Sequence, residues 1–473
     1  MKKILGTSIV ATAASLAGLA LAQTGAGPTL SNEALGNLKI ATAATPAQQT
    51  RISQIRMQPG TGAILIGMLR ADTLRTSAVG QSVNLRVSES KIVQARTVSV
   101  ENRPGATIWR GEVAGKGSLP PGVATMVMTP GGVTGTIEAD DGKTYQLRPL
   151  PDGGTAVIEI DYATMPLEDG PGGGAAAVAP AGRLMNARLA RPVASGIAAP
   201  VAASAAPVVL NTAEVTRRLQ PNAVLGAKLL QPGEISISER YKLRPDIWKL
   251  LIPPTIDVLV AYTPSAASLS GDINGLINLA IEETNGSFTN SNVWARVRLV
   301  GTVQVPYSET GKSYDTIMAD FTTNGDGKMD AVFPEREAKK ADVVMLVMNQ
   351  GDWCGQAHDI GATAATAFAL VHYSCATGYY SFGHEMAHLI GARHDRETDG
   401  TGTPYAWGHG YRHHAASGSW RTIMGYPCSD CNPRKQYWSS PLTLYGGIPM
   451  GTAALEDNHR VWNERAPIVA AFR

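Results

Sequence analysis

The sequence predicts two folded units, an all-β domain followed by an α/β domain built on a mixed sheet. Three observations support this. Short β-prone runs fill residues 60–162, a stretch rich in alanine, glycine and proline follows, and strand and helix patterns alternate from about Pro254 onwards. A chain of 473 residues is also too long for one ordinary hydrophobic core.

The first domain is predicted from β-prone runs separated by turn sequences. "SVNLRVS", "TIWRGEVAG", "VATMVM" and "TYQLRPL" are such runs, and "TPGG", "ADDGK" and "PDGG" are typical of hairpin turns. This indicates an all-β domain within residues 23–167. The domain contains no histidine and no cysteine, so histidine chemistry must lie elsewhere.

Residues 168–253 are predicted to be a linker and processing region. From Glu168 the chain reads "EDGPGGGAAAVAPAGRLMNARLARPVASGIAAPVAASAAPVVL". Such a composition buries too little apolar surface to offset the entropy of ordering. We therefore expect a flexible spacer here.

The N-terminus has the three parts of a secretory signal peptide. "MKK" is positively charged, "ILGTSIVATAASLAGLALA" is apolar, and Ala20, Leu21 and Ala22 form a small-residue cleavage site before Gln23. A membrane anchor is the alternative, but glycine, serine and threonine dilute the apolar run. We expect residues 1–22 to be removed and the protein to be secreted without a membrane anchor.

Export makes disulfide bonds permissible. The four cysteines are Cys354, Cys375, Cys428 and Cys431. They allow three pairings, and the sequence alone does not choose among them. We favour Cys354 with Cys375 and Cys428 with Cys431; the alternative, a four-cysteine zinc site, is less compatible with an exported chain.

Charge and loop composition argue against two other kinds of ligand. The formal net charge is only +2, and no block of lysine and arginine interleaves with aromatic residues, so nucleic-acid binding is not expected. "NGDGKMD" is similar to a calcium loop, but its first and last ligand positions hold Thr322 and Phe333. We therefore expect an ordinary turn there and no structural calcium.

The second domain, residues 254–473, is predicted from alternating strands and helices. "IDVLVAYT" is an apolar run typical of a buried strand, and "INGLINLAIEETNGSFTNS" has helical periodicity. "VWARVRLVGTVQVPY", "ADVVMLVMN" and "ATAFALVHYS" are further strands, and "SYDTIMADF" and "AVFPEREAKK" are helices. This order predicts a mixed sheet covered by helices. All nine histidines lie at or after His358, within this domain.

The segment "HEMAHLIGARHD" places His384, Glu385 and His388 on one helix, with the two histidines on the side opposite its apolar stripe. Spacing i, i+4 brings two imidazoles to one tetrahedral metal ion. Glu385 would lie beside that ion, where a general base acts on a metal-activated water.

Gly391 explains how a third histidine could reach the same ion. On a straight helix His394 would lie about 9 Å along the axis from His388, whereas bonds to zinc are about 2 Å long. Glycine tolerates the left-handed conformation that ends a helix. His394 can then enter from a loop and complete a three-histidine zinc site with a fourth position for water. The alternative is a set of surface histidines beside a helix end.

These residues resemble a known family. "HEMAHLIGARHD" is similar to the zinc signature of the metzincin metallopeptidases, and Asp395 after the third histidine resembles the adamalysin/reprolysin branch. "RTIMGYP" resembles the Met-turn, with Met424 as its methionine. "IDVLVAYT", "ADVVMLV" followed by "CG", and "TIMGYP" are similar to bacterial reprolysin-like enzymes of the peptidyl-Asp metallopeptidase kind. This likeness covers about Thr255 to Arg473.

The resemblance implies a metzincin fold, with a twisted mixed sheet and an active-site helix, and zinc-dependent hydrolysis of protein or peptide substrates. Met424 would lie beneath the zinc-binding histidines and Asp395 would support them. Tyr426 matches the tyrosine with which astacins and serralysins stabilise the oxyanion. Substrate would extend along a sheet edge near Trp353–Thr366. We expect a monomer. The competing hypothesis is a zinc-binding adhesion or scaffold module without activity.

The resemblance also makes the β-domain, with its "WRGEV" run, a propeptide. Because the chain before residue 354 has neither cysteine nor histidine, only a carboxylate or steric coverage could keep the enzyme latent. We expect maturation within Asn186–Pro253, with Arg217 and Arg218 as one candidate.

A peptidyl-Asp likeness further implies a basic pocket for acidic residues on the primed side. Arg434 and Lys435 are the candidates for this pocket. The alternative for both is plain surface charge.

Overall fold

The computed structural model describes residues 33–115, 120–168, 252–415, 418–431 and 433–473. The predicted signal peptide and residues 169–251, which include the maturation candidates Arg217 and Arg218, lie outside the described residues.

The N-terminal unit is a closed barrel of nine strands in the order β1-β2-β9-β8-β7-β6-β5-β4-β3. All neighbours are antiparallel except β1 and β3, which pair in parallel and close the barrel. The strands are β1 (Glu33–Ile40), β2 (Thr61–Leu69), β3 (Ser82–Arg86), β4 (Ile92–Arg103), β5 (Ala106–Val113), β6 (Gly122–Thr129), β7 (Gly132–Glu138), β8 (Thr144–Pro149) and β9 (Thr155–Ile160).

Two short helices correct the prediction of an all-β domain. They are α1 (Pro46–Arg56) and α2 (Ala71–Arg75). The sequence of α1 is too polar to show a helical stripe, but a capping box starts it. The Thr45 hydroxyl accepts from the Gln48 amide at 3.3 Å, and the Gln48 side chain accepts from the Thr45 amide at 3.1 Å.

The C-terminal unit is built on a five-stranded mixed sheet in the order β11-β10-β12-β14-β13. Its strands are β10 (Thr255–Tyr262), β11 (Arg296–Gln304), β12 (Val343–Met348), β13 (Gly355–Ala357) and β14 (Phe368–His372). Only β13 runs antiparallel, and it forms one edge of the sheet. Every residue of β12 and β14 is buried, as expected for strands covered on both faces.

Alternate side chains of β10 separate two hydrophobic cores. Val258 and Val260 face the core that contains α4 and α7, whereas Leu259 and Ala261 face the core that contains α5. The helices are α3 (Pro264–Ser270), α4 (Ile273–Asn290), α5 (Tyr314–Thr322), α6 (Val332–Lys339), α7 (Ser381–Ile390) and α8 (Asn458–Val469). Four short strands complete the domain: β15 (Arg412–His413), β16 (Trp420–Arg421), β17 (Leu444–Tyr445) and β18 (Ile448–Pro449).

The cysteines form the two disulfides favoured from the sequence, Cys354 with Cys375 and Cys428 with Cys431. The first joins the segment before the edge strand β13 to the loop before α7. Because all four sulfurs are paired, they do not form a four-cysteine metal site.

The barrel contacts the C-terminal unit mainly through α4, which lies against β6 and β7. Buried Glu282 of α4 pairs with Arg103 and Arg110 of the barrel. Gln146 and Arg148 of β8 donate to Thr377 at 2.6 and 2.9 Å, in the loop before α7. Among the described residues, none of the helices is both long and apolar enough to cross a bilayer.

Candidate metal centre

Helix α7 ends at Gly391, as expected from the sequence. Gly391 has φ 114° and ψ 9°, and its N–H donates to the carbonyls of Ala387 and His388 at 3.0 and 2.8 Å. The next amide, Ala392, also donates to Ala387 at 2.8 Å. A residue with positive φ caps the helix and turns the chain back towards it.

This turn brings His394 to the two helical histidines. The Nε2 atoms of His384 and His388 lie 3.2 Å apart, and the Nε2 of His394 lies 3.2 Å from the first and 3.0 Å from the second. All three side chains are buried. The alternative of solvated surface histidines is therefore wrong.

Backbone carbonyls orient two of the rings. The Nδ1 of His384 lies 2.9 Å from the Ile423 carbonyl, and the Nδ1 of His388 lies 2.9 Å from the Ala392 carbonyl. Because a carbonyl can only accept, the Nδ1 of His388 carries the proton and its Nε2 keeps its lone pair. The Nδ1 of His384 also lies 2.6 Å from the Arg434 guanidinium.

The three nitrogens fit a metal ion. Around a tetrahedral ion with bonds of about 2.0–2.1 Å, ligand nitrogens lie about 3.3–3.4 Å apart. The observed triangle of 3.0–3.2 Å is within a few tenths of an ångström of this spacing. The donor set is therefore suited to a tetrahedral ion with one position left open.

Asp395 and His409 hold the loop that carries the third histidine. Asp395 accepts from the Tyr426 amide at 2.8 Å, and its own amide donates to the Met424 carbonyl at 3.2 Å. His409 donates from Nδ1 to the His394 carbonyl at 2.8 Å. Burial lowers the pKa of His409 below its ordinary value. No ligand spacing in the sequence pointed to this contact of His409.

Met424 and Tyr426 follow in the segment predicted as a Met-turn. Met424 is fully buried in the same core as Met386 and Leu389 of α7. The Tyr426 ring centroid lies 4.2 Å from that of His394, and its hydroxyl donates to the Glu168 carbonyl at 2.6 Å.

The Glu385 side chain lies between the helix and the edge strand. It is fully buried and packs directly on Gly355 of β13, where an added Cβ would come 2.3 Å from Glu385 Oε1. A carboxylate oxygen of Glu385 also lies within 4.8 Å of a ring nitrogen of His384. Glu385 is therefore next to His384. The need for glycine at position 355 was not evident from the sequence.

The two basic pocket candidates differ in their surroundings. Both are buried, so the alternative of surface charge is wrong. Arg434 donates to the Tyr379 and Ile423 carbonyls at 2.6 and 2.9 Å and lies against the His384 ring. Lys435 instead pairs with Glu138 of the barrel at 2.9 Å. Only Arg434 is placed at the metal centre.

Glu168 also lies at the metal centre, which was not expected from the sequence. We expected it to begin a flexible linker, yet it is buried and forms an ion pair with Arg434. The one sequence signal that could have found it is the absence of cysteine and histidine from the β-domain, which leaves only carboxylates as candidate ligands.

Buried imidazoles that converge beside a glutamate are typical of metallopeptidases. The family described as "Metallo-peptidase family M12" matches residues 253–439. A protein of Xanthomonas campestris pv. campestris, named peptidyl-Asp metalloendopeptidase, is 32% identical over 473 residues, covering 98% of this chain and 96% of that protein. The chain belongs to this metallopeptidase family, which confirms the resemblance.

Other relatives match a shorter part of the chain more closely. Two Stenotrophomonas maltophilia proteins of the same name, from strains K279a and R551-3, are 47% identical over 223 residues, which is 47% of this chain. The match spans about half of their length, 53%. A solved chain titled "Structure of a chaperone-substrate complex" is 23% identical with a TM-score of 0.37, covering 47% of this chain and 35% of that chain. That likeness supports no argument.

Proposed function

We propose that the protein is an exported zinc-dependent endopeptidase, made as a precursor whose barrel is a propeptide. The observation that carries this proposal is the triangle of buried Nε2 atoms with Glu385 beside it. Zinc suits three nitrogen ligands with an open fourth position. When bound, zinc would polarise the scissile carbonyl and lower the pKa of a water molecule.

Glu385 and Tyr426 would carry the chemistry of the protein itself. Glu385 takes a proton from the attacking water and delivers it to the leaving amine. Tyr426 donates a hydrogen bond to the developing oxyanion. In support, the Tyr426 hydroxyl already donates to a peptide carbonyl, that of Glu168, at 2.6 Å.

Substrate would bind as an extra strand at the edge of the sheet. β13 is the edge strand next to Glu385, within the segment Trp353–Thr366 expected from the sequence. An extended peptide paired to such an edge gains main-chain hydrogen bonds regardless of its sequence. Specificity must then come from side-chain pockets.

The pocket around Arg434 favours an acidic side chain. A buried guanidinium requires a carboxylate partner, because an unpaired charge in the interior is costly. The relatives are named peptidyl-Asp metalloendopeptidases, which agrees with a preference for aspartate on the primed side. Of the two candidates we assign the pocket to Arg434, which contacts the His384 ring, whereas the Lys435 ammonium group pairs with Glu138 of the barrel.

The substitution Glu385→Gln tests the enzyme proposal. We expect cleavage of a denatured protein mixture to fall on the order of 10²–10⁴-fold, because the general base is lost. Zinc content, measured by elemental analysis, should stay the same because the three histidines remain. If zinc-loaded wild-type protein, freed from the barrel, also fails to cleave any protein, the scaffold hypothesis replaces the enzyme.

N-terminal sequencing of the secreted form tests the propeptide proposal. A start after the barrel, within the region expected for maturation, supports it. A secreted active form that starts at Gln23 contradicts it.

A further inference from the structure

The last described residues of the barrel unit, Leu167 and Glu168, lie beside the metal centre. They occupy the space between Cys354 and Tyr426, which we call the cleft. The Leu167 carbonyl accepts from the Cys354 amide at 2.8 Å, one residue before the edge strand β13. On the opposite side of the cleft, the Glu168 carbonyl accepts from the Tyr426 hydroxyl at 2.6 Å. These two contacts hold the backbone of residues 167 and 168 between the sheet edge and the proposed Met-turn.

The Glu168 side chain fills the pocket of Arg434. Its Oε1 accepts from the Ser381 hydroxyl at 2.7 Å, at the first residue of α7, and pairs with the Arg434 guanidinium. Glu168 is 1% exposed. One carboxylate oxygen each of Glu168 and Glu385 and a ring nitrogen of His384 lie within 4.8 Å of one another. The carboxylate is therefore immediately beside the proposed general base.

Residues 167 and 168 thus use the contacts that a substrate would need. Their carbonyls take a donor on the sheet edge and the donor proposed for the oxyanion, and the side chain takes the cation proposed for an acidic residue. Each of these groups can serve only one occupant at a time. A peptide can enter only when this segment leaves.

We propose that Glu168 is an internal inhibitor, a carboxylate that occupies the subsite for the acidic side chain of a substrate until the barrel is removed. This rests on the proposed function, because the subsite is defined by Arg434 and Ser381 beside the metal centre. The inhibitor needs neither cysteine nor histidine, which agrees with their absence from the chain before residue 354.

Contacts outside the cleft keep the inhibitor in place. Gln146 and Arg148 of β8 donate to Thr377, and Glu138 at the end of β7 pairs with Lys435. They hold the barrel against the loop before α7 and against Lys435, which follows Arg434 in the sequence. The inhibitor is therefore delivered by a docked domain, and separation of that domain removes it.

The test uses the full chain with Glu385→Gln, so that it cannot process itself. Glu168→Ala and Glu168→Gln are added to this background. The control is Glu138→Ala, which removes an ion pair across the same interface next to Arg434 but outside the cleft. Two quantities are measured. The first is the rate of hydrogen exchange at the Cys354 amide. The second is the affinity for a labelled aspartate-containing peptide, measured by fluorescence anisotropy and compared with that for the same peptide with asparagine in place of aspartate.

We expect Glu168→Ala to speed exchange at Cys354 and to raise the affinity for the aspartate peptide about tenfold or more, because the binding-competent fraction increases. Glu168→Gln should have a smaller effect, since it keeps the size and the hydrogen bond of the side chain but loses the charge. Glu138→Ala should show no such gain, because Gln146 and Arg148 still hold the barrel in place. In every variant the asparagine peptide should bind more weakly than the aspartate peptide, because it lacks the charge that pairs with Arg434.

The proposal is overturned if Glu168→Ala leaves exchange at Cys354 unchanged, or if Glu138→Ala has the same effect. It is also overturned if the mature protein starts at Glu168, because the segment would then be a substrate. Hydrogen exchange does not depend on catalysis, so it distinguishes the two failures. If Glu168→Ala speeds exchange at Cys354 but the wild-type protein never cleaves peptides, the enzyme proposal is contradicted. The placement of Glu168 in the cleft is then still supported.

Discussion

Gly355 illustrates how a residue without a side chain supports the proposed general base. It is paired with Val371 in the sheet, so its backbone has little freedom to move. A Cβ there would come 2.3 Å from Glu385 Oε1 and 2.5 Å from its Cγ. The position of the Glu385 carboxylate is thus determined by the neighbouring strand as well as by its own helix.

We predict that Gly355→Ala lowers kcat/KM about 10²-fold, because a displacement of about 1 Å is enough to disturb a catalytic group. Metal content should not change. Peptide hydrolysis and elemental analysis measure the two effects. Gly402→Ala is the control, since no atom lies within 4 Å of its Cβ position; equal activity of both variants would contradict the prediction.

Arg434 and Lys435 allow a matched test of specificity. We predict that Arg434→Gln, in the form freed from the barrel, lowers kcat/KM for aspartate peptides about 10–100-fold, because a hydrogen bond to a charged group contributes about 1.5–3 kcal/mol. Peptides with asparagine instead should be affected little. Lys435→Gln should keep the preference, and a loss of preference there would show that the pocket has been assigned to the wrong residue.

At the scale of elements, the end of α7 decides whether the third histidine reaches the others. Gly391 combines a positive φ with close neighbours, since a Cβ there would lie 3.1 Å from the side chains of Pro404 and Tyr405. Both features exclude a larger residue. The glycine is required by backbone geometry and by packing together.

We predict that Gly391→Ala destabilises the protein by about 1–2 kcal/mol, the cost of a left-handed conformation for a residue with a Cβ. Zinc affinity should also fall, because His394 follows the cap. Chemical denaturation and a competitive zinc titration measure the two effects. Gly400→Ala is the control, since its Cβ position is open, and its zinc affinity should equal that of the wild type.

The strand and helix patterns of the C-terminal domain were predictable because they repeat over many residues. Buried strands such as β12 read as continuous apolar runs, and α4 follows the predicted helical segment. The short strand β13 was not identified as a separate element, because three residues carry no period. Helix α1 was missed because its polar sequence lacks an apolar stripe.

At the scale of the whole molecule, docking of the barrel buries a carboxylate with an unusual titration. Glu283 of α4 accepts from the Gly378 amide at 2.8 Å beneath the barrel. Desolvation raises the pKa of Glu283 to about 7 from 4.5, against the opposing attraction of Arg148 on β8. Burial therefore favours the protonated acid.

We predict that the full chain loses stability as pH rises towards 8. The pKa of Glu283 is higher in the folded chain than in the unfolded one. Its contribution to the free energy of unfolding is therefore complete below pH 4.5 and is lost as the pH rises past about 7. The shift corresponds to about 3 kcal/mol. Glu283→Gln should flatten this dependence, as measured by urea denaturation at pH 5 and pH 8. An unchanged slope would contradict the assigned pKa.

The local sequence was sufficient for the proposed metal ligands. His384, His388 and His394 lie within a dozen residues, where helix periodicity and one glycine cap determine their spacing. The contacts of Glu168 with Arg434 and of Glu385 with Gly355 join segments up to 266 residues apart. They arise from the docking of whole domains and strands, and no local pattern encodes that. The family and its metal site could thus be read from short motifs, whereas the occupant of the cleft became visible only once the chain was folded.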